Sequence, residues 1–375
     1  MERRILVGGG LVGSLLATYF GQQGFPVEVY ESRSDPRKGN LYEGRSFNLV
    51  LSQRGIVALE RVGIEAKIME KTTRLPGRII HTADGQQISQ PYGAGKHECL
   101  HAVSRESLNK ALLDVAESSG DVKFNFGSRC EDYDVANGNL IINLDGHRQI
   151  VEADRVFGTD GAASAVRDRL TKLTGSSFTK EVACFAYKEL VIPSRDGNYV
   201  MEPHAFHVWP RGRYVMTAQT NKDGTFSGAL FMHREGEDSF ETVTAENVED
   251  FFEKNFPDLA RLMPNLKRDF ERNPVGGLCS VKCPTWTFQD KIALLGDAAH
   301  AMVPFYGQGT NCGFEDVMSL DKALRRNPKD ITKAFREFEL DRRDNAYAIT
   351  DLSLQNMKEM SDGIADPKRL LAKQI

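Results

Sequence analysis

Three spaced glycines and an acid mark the first place in this chain where chemistry is implied. Gly8, Gly10 and Gly13 follow the apolar run Arg4-Ile5-Leu6-Val7 and open an amphipathic stretch. Strand, glycines and helix in that order form a dinucleotide fingerprint: Gly8 for the tight turn, Gly10 for close approach of a pyrophosphate, Gly13 for helix–strand packing. The helix start, around Leu11 and Val12, offers unpaired N–H groups to phosphate oxygens. Val27-Glu28-Val29-Tyr30-Glu31 reads as a second strand, and Glu31 at its end is spaced to hold ribose hydroxyls.

A second constellation lies far along the chain. Leu294-Leu295-Gly296-Asp297 ends an apolar strand in a Gly-Asp turn, so Asp297 projects a carboxylate able to accept from a ribityl hydroxyl. Gly307-Gln308-Gly309-Thr310-Asn311 then opens a helix whose N–H groups and dipole suit an anionic ring edge, such as that of a reduced flavin. A third signal, Val156-Phe157-Gly158-Thr159-Asp160-Gly161, is again a strand running into an Asp-Gly turn and a helix. His300, close behind Asp297, reads as structural.

These residues need elements to hold them. Helices are expected at 15–23, at 52–62 with Ser52 as N-cap, at 104–116 and at 244–255, with further helices from 311 to 374. Extended segments are expected at 78–92 around a turn at 83–85, and at 121–126, 139–144, 154–158 and 291–295. Alternating patterns over 183–192, 205–209, 213–219 and 225–233 predict an antiparallel sheet. The fold class is therefore α/β: a Rossmann-like nucleotide domain, an inserted and mainly antiparallel substrate domain, and C-terminal helices.

Bulk properties narrow the function. A chain of 375 residues with 41% hydrophobic and 27% charged residues is an ordinary globular composition with room for two domains. Its net charge of −4 argues against a nucleic-acid partner. No apolar run is long enough to cross a bilayer, and the first strand begins too early for a signal peptide. Cys99, Cys130, Cys184, Cys279, Cys283 and Cys312 form no C-x-x-C pair and read as free thiols. The histidines lack metal-ligand spacing, so no metal is expected.

The three motifs together resemble the single-component FAD-dependent aromatic-ring hydroxylases, from residue 4 to about 373. Mid-chain runs are similar to one branch of that family: Arg45-Ser46-Phe47-Asn48-Leu49, Ser52-Gln53-Arg54-Gly55, Gly77-Arg78-Ile79-Ile80-His81, Gln90-Pro91-Tyr92-Gly93, Ser104-Arg105-Glu106-Ser107-Leu108-Asn109, His207-Val208-Trp209-Pro210-Arg211 and Val303-Pro304-Phe305-Tyr306-Gly307. The resemblance implies FAD as cofactor, NADPH and O2 as co-substrates, and hydroxylation of L-kynurenine beside its ring amine. The flavin carries the oxidising chemistry, and no protein side chain is expected to be catalytic. It also implies that Arg78 and Tyr92 hold the substrate carboxylate and that Asn356 is a further substrate contact. Glu31, Arg33, Arg105, Asp297, Thr310 and Asn311 match FAD positions. Asp160 and Gly309 fall in the matching motifs, and Tyr30, Ser32, Val50, Cys130 and Ala165 match positions that touch FAD through backbone or packing.

The chain departs from the family pattern at Thr310, where Met is usual, at Met357, where Tyr is usual, and at Gln219-Thr220, where Leu-Pro is usual. Family members continue past the position of Ile375 with helices and a pocket tyrosine, so the resemblance implies a less enclosed pocket here. The expected division is an FAD domain at 1–70, 98–178 and 275–330, a substrate domain at 71–97 and 179–274, and C-terminal helices at 331–375. A cytoplasmic location is expected, or the mitochondrial outer membrane if the chain is a eukaryotic form with an anchor beyond this sequence. Three other functions compete: hydroxylation of another anthranilate-like or phenolic acid, an FAD-binding protein without productive hydroxylation, and a plain NAD-dependent dehydrogenase. The second and third nucleotide motifs disfavour the last.

Overall fold

The structure, a computed structural model, describes residues 2–39, 48–95 and 98–362, with side chains up to 357. Arg45, Ser46 and Phe47 of the first branch motif, and the tail from 363, lie outside the described residues.

The apolar run after the N-terminus forms the strand Arg4–Val7, and its placement organises the first sheet. It pairs in parallel with Val27–Glu31 on one side and Arg155–Gly158 on the other. Val122–Phe126 and Ile292–Leu294 extend the parallel order outward, and Thr287–Phe288 closes one edge in antiparallel sense. The helix Leu11–Gln22 begins earlier than the expected 15, immediately after the glycines, with Gly10 in the N-cap position. Gly8 has φ of +103°, and a Cβ on Gly13 would run into the carbonyl oxygen of Gly8 and lie 2.7 Å from Thr159 Oγ1. Only glycine lets this helix start so close to the strand it leaves.

Alternating residues build a seven-stranded second sheet, ordered Gly276–Lys282, Thr179–Ile192, Phe226–His233, Tyr214–Thr220, Phe206–Pro210, Gly77–His81, Gln87–Pro91. Its back face (Leu190, Trp209, Met216, Leu230) is covered by the helices Val248–Asn255, Pro257–Ala260 and Leu266–Arg272. Its front face contributes Ile80, Val208 and Val215, and beside them Phe185, Ala229 and Phe231, against Phe305 and the helix residues Leu354 and Met357. Two further three-stranded sheets were not legible as such: Asn48–Leu51, Leu100–Ser104 and Thr73–Leu75, and the meander Ser128–Asp134, Asn139–Leu144, His147–Glu152. By strand pairing Thr73–Leu75 stays with the nucleotide side and Gly276–Lys282 closes the large sheet. We therefore propose domain boundaries near Pro76 and Cys283 in place of 71 and 275.

Ser52 occupies the N-cap position of the helix Gln53–Arg61, but its hydroxyl caps nothing; its backbone N–H donates to Asn311 Oδ1 instead, at 3.0 Å. The remaining helices are Glu65–Met69, Arg105–Ser118, Ala165–Thr174, Gly309–Arg326 and the long Ile331–Asp362, with a short turn at Asp297–His300.

If Gly13 is required by packing alone, Gly13→Ala lowers unfolding free energy by about 1–3 kcal/mol, the usual cost of overpacking. Urea denaturation of the protein stripped of cofactor measures this; an unchanged midpoint would show that the helix can shift away.

Candidate active site

Parallel pairing gathers the chemistry on one edge. Glu31, the Gly8–Gly13 turn, Asp160 and Asp297 follow the carboxyl ends of four strands that lie side by side in that order. Three strand spacings separate the outermost of these strands, roughly 14 Å, which suits an extended dinucleotide at the topological switch point.

The glycines divide by what limits them. A Cβ on Gly8 or Gly13 would collide with backbone, whereas one on Gly10 would meet only Arg33 Nη2, at 3.9 Å. Nothing among the described residues requires glycine at position 10, so the space in front of it is where a ligand would approach. The helix behind it has no side-chain cap and no acid in its first turn. Its first intrahelical bond is Ser14 N to Gly10 O, 2.9 Å, leaving the N–H groups of Leu11, Val12 and Gly13 for phosphate.

Glu31 is buried and takes Gly9 N–H on Oε2 at 2.8 Å and Arg33 N–H and Nε on Oε1 at 2.8 Å each. Burial would raise its carboxyl, but the hydrogen bonds and charge of Arg33, with Gly9 N–H, hold it below the ordinary range. Ser32 Oγ lies 3.4 Å from the same carboxylate. Tyr30 turns its hydroxyl to Glu28 and gives its carbonyl to Gly8 N–H, so only its backbone borders the turn.

Asp160 Oδ2 accepts from Ala165 N–H at 2.8 Å, while Oδ1 is buried without a partner. Burial pushes this carboxyl up. The orphaned oxygen is an acceptor awaiting a donor, as a bound cofactor would supply. Cys130 lies near Asp160, and burial followed by that charge pushes its thiol up to about 12. Asp297 is exposed to solvent between the buried Gly296 and Ala298, as a cleft floor would be. The protein mass around it raises its carboxyl, against the opposing charges of Arg105 and His300. The charge of Arg105, the first residue of Arg105–Ser118, thus acts on Asp297 although the two are far apart in sequence.

The helix Gly309–Arg326 also starts without a side-chain cap, leaving the N–H groups of Gly309, Thr310 and Asn311 outside the ladder. Asn311 is held by the protein itself. Its side chain is fully buried and fully used, donating to Val50 O (2.9 Å) and Gly307 O (3.0 Å) and accepting from Ser52. Its amide therefore builds the scaffold, and only its backbone is placed for a ligand. Val50 likewise takes part through its carbonyl and its contact with Gly307.

Beneath this edge lies a network that sequence reasoning missed. The fully buried Asp316 accepts Gly296 N–H (2.9 Å), His300 Nε2 (2.5 Å) and Arg342 Nε (2.8 Å). Arg342 continues to Glu315 at 3.0 Å, and Arg54 meets Glu315 at 2.5 and 2.7 Å. Burial opposes ionisation throughout, but the facing charges hold Asp316 below its ordinary value and His300 well above. His300, Cys312 and Asp316 place ligand atoms within 4.8 Å of one another. Arg342 donates to both Asp316 and Cys312, supplying the positive charge that a cation would bring.

On the large sheet, Arg78 shares the front face with Ile80, and its Nε donates to Gln90 Oε1 at 2.6 Å on the neighbouring strand. Tyr92 sits beside it: surrounding protein raises its phenol to about 12, against the Arg78 charge. Tyr92 as a residue is nonetheless 39% exposed, so it borders open space. Asn356 on the long helix donates to the carbonyl of Phe305, whose ring packs 4.8 Å from Phe231 on the same front face. At the departures from the family pattern, Gln219 leaves Oε1 buried without a partner, Thr220 bonds Pro203 O at 2.6 Å, and Met357 joins the apolar cluster with Phe185 and Val303.

A nucleotide edge of this kind on this fold defines an FAD-binding protein of the aromatic-hydroxylase type. Residues 4–329 match the family model described as FAD binding domain. A 2-methyl-3-hydroxypyridine-5-carboxylic acid oxygenase superposes with a TM-score of 0.81 at 21% identity, covering 98% of this chain and 94% of that one. A p-nitrophenol 4-monooxygenase from Pseudomonas putida gives 0.78 at 19% identity, covering 99% and 92%. The kynurenine 3-monooxygenase of Flavobacterium johnsoniae is 43% identical over 99% of this chain and 83% of its own, and that of Christiangramia forsetii is 40% identical over the same shares. The chain belongs to the kynurenine 3-monooxygenase family. Among the described residues no helix is long and apolar enough to cross a membrane.

Two outcomes follow. Asp297→Ala and Gly10→Ala fold normally but bind FAD at least about tenfold more weakly, the first through a lost hydrogen bond to a charged group worth about 1.5–3 kcal/mol and the second because a Cβ obstructs the approach of the cofactor; full flavin occupancy on purification would refute this. Asp316→Asn costs about 3–5 kcal/mol of stability at neutral pH because it leaves His300 and Arg342 uncompensated. The Asp316 contribution is present above its unfolded value, about 3.9, and is lost as pH falls through its lower folded value; that of His300 is present below about 6.5 and is lost as pH rises through its higher folded value. The stability gap between parent and variant therefore narrows at both ends of a pH series of denaturation curves.

Proposed function

We propose that this chain hydroxylates L-kynurenine at ring position 3, consuming NADPH and O2 and releasing NADP+ and water. The observation that carries this reading is Arg78, held by Gln90 on the front face of the large sheet, in a chain 43% identical to a kynurenine 3-monooxygenase. When bound, FAD supplies the electron transfer from NADPH and the activation of O2.

The chain's own residues do the rest. Arg78 offers a fixed cation to the amino-acid carboxylate, held by Gln90. Tyr92, with its phenol raised to about 12, stays protonated and keeps a donor for that carboxylate across the physiological range. Ile80, Val208, Val215 and Phe305 provide an apolar wall that excludes water from the ring. Asn356 holds the Phe305 carbonyl and so the turn leading into Gly307–Gly309. The N–H groups at Gly309, Thr310 and Asn311, with the helix dipole, favour negative charge at their end of the cleft. Glu31, Arg33, Arg105, Asp160 and Asp297 would hold the cofactor. The substrate's ring amine activates the neighbouring carbon, so no protein base is required.

A second reading, hydroxylation of another anthranilate-like or phenolic acid, is favoured by Gln219, whose unpaired acceptor stands where the family has an apolar residue. Measuring NADPH consumption against hydroxylated product separates the two. Stoichiometric 3-hydroxykynurenine supports the first; preference for another acid supports the second; oxidation without product leaves an FAD protein that does not hydroxylate. Arg78→Ala raises the kynurenine KM by about 2–5 kcal/mol equivalent while the bound-flavin spectrum stays unchanged, and Arg78→Lys rescues only partly because the planar fork is lost. Normal kynurenine binding by Arg78→Ala would move the pocket elsewhere.

A further inference from the structure

The strand Gly77–His81, which carries Arg78, lies next to the edge of the large sheet. It is bonded to the sheet interior through a short parallel pairing: Arg78 with Phe206, Ile79 with His207 and Ile80 with Val208. So brief a ladder fixes a strand weakly, since parallel pairs are slanted and less stable per residue. The extra restraint comes from the back of the sheet. His81 Nε2 meets His207 Nδ1 at 2.9 Å, and His81 Nδ1 lies 3.3 Å from Asp258 Oδ2. The same carboxylate oxygen accepts from Trp209 Nε1 at 2.7 Å, and His81 stacks on Trp209 with centroids 4.0 Å apart. Arg211 donates to His81 O at 2.9 Å and to Asn255 O at 2.6 Å.

The partners settle the protons. His207 Nε2 faces the carbonyl of Glu202 at 2.8 Å and must donate there. Burial pushes His207 down to about 4, so it is neutral and its Nδ1 accepts. His81 Nε2 is then the donor between the rings, and His81 Nδ1 must carry a proton as well for its 3.3 Å contact with Asp258 Oδ2 to be attractive. Neither imidazole faces the substrate side; both are buried behind it. The run His207-Val208-Trp209-Pro210-Arg211 thus supplies three of the side chains that grip His81.

We propose that the His81–His207 pair, anchored by Asp258, Trp209 and Arg211, is a positioning device: it holds the Arg78 strand in register and so sets affinity for the substrate carboxylate without touching substrate or flavin. This rests on the reading of Arg78 as the carboxylate anchor.

The test uses the full-length FAD-loaded enzyme with L-kynurenine, NADPH and O2. His207→Phe fills the space but removes both hydrogen bonds; it should raise the kynurenine KM about tenfold, the scale of a small misplacement, with kcat within about twofold. FAD occupancy should not change. His207→Gln, whose amide can donate to Glu202 O and accept from His81, should recover most of the loss. Combined with Arg78→Ala, His207→Phe should add nothing further, because both act on one interaction. The proposal is overturned if His207→Phe lowers kcat as much as it raises KM, if FAD is lost, if His207→Gln is no better than Phe, or if the two effects add. Should His207→Phe fail to fold, Asp258→Asn tests the same clamp from its half-exposed end, and an unchanged KM there also overturns it. An unchanged KM in Arg78→Ala alone would instead overturn the substrate reading beneath.

Discussion

One buried carboxylate ties the nucleotide edge together. Asp316 receives the N–H of Gly296, the imidazole of His300 and the guanidinium of Arg342. The first contact fixes the turn from which Asp297 projects, the second anchors the short turn that follows, and the third docks the long helix Ile331–Asp362. Arg342 passes the connection through Glu315 to Arg54 on Gln53–Arg61. Four chain segments far apart in sequence thereby share one electrostatic centre. A buried ion network of this kind is weak evidence for net stability, since its desolvation cost is large. What it provides is geometry: a carboxylate with three fixed donors has no freedom to let the Gly-Asp turn rotate.

The large sheet separates two tasks by the period of its strands. Alternate residues point to opposite faces, so residues one apart serve different layers. Arg78 and Ile80 look forward with Val208 and Val215, while His81 looks back to Trp209 and Asp258. The apolar back layer is thick and aromatic, with Phe251, Phe252 and Phe256 among its members, and it gives the front a rigid support. The front is thinner, and its cover is Phe305 together with Leu354 and Met357.

Much of this was legible in the sequence because it rests on local signals. The glycine fingerprint, the Gly-Asp turn and the alternating runs each depend on residues within a few positions. The meander Ser128–Asp134 to His147–Glu152 was only partly visible: its outer strand is mostly exposed and polar, so alternation fades. Ser52 misled because a capping residue type at a helix start does not reveal that its hydroxyl finds no partner. The contacts of Asp316, Arg342 and Asp258 were invisible for a different reason. Their role is a contact with residues tens or hundreds of positions away, and no spacing rule connects them. The nearest signal was the Trp-Pro-Arg run, whose function emerges only once His81 is seen behind it.

Hydrogen-bond accounting separates residues that resemblance groups together. Family likeness assigns Asn311, Asp160 and Gly10 alike to the cofactor. In the folded chain Asn311 has every amide atom satisfied by Val50, Gly307 and Ser52, so its identity is demanded by the protein itself. Asp160 has one oxygen engaged and one buried without a partner, and a Cβ on Gly10 would meet only Arg33 Nη2 among the described residues. A buried acceptor left unmade costs free energy that folding alone does not return. The unmet acceptor of Asp160 and the uncapped helix starts at Leu11 and Gly309 are therefore costs the fold carries for a ligand. They lie along one edge, whereas the satisfied groups lie behind it. That division, more than the motifs themselves, locates where the cofactor contributes to the protein and where the protein stands by itself.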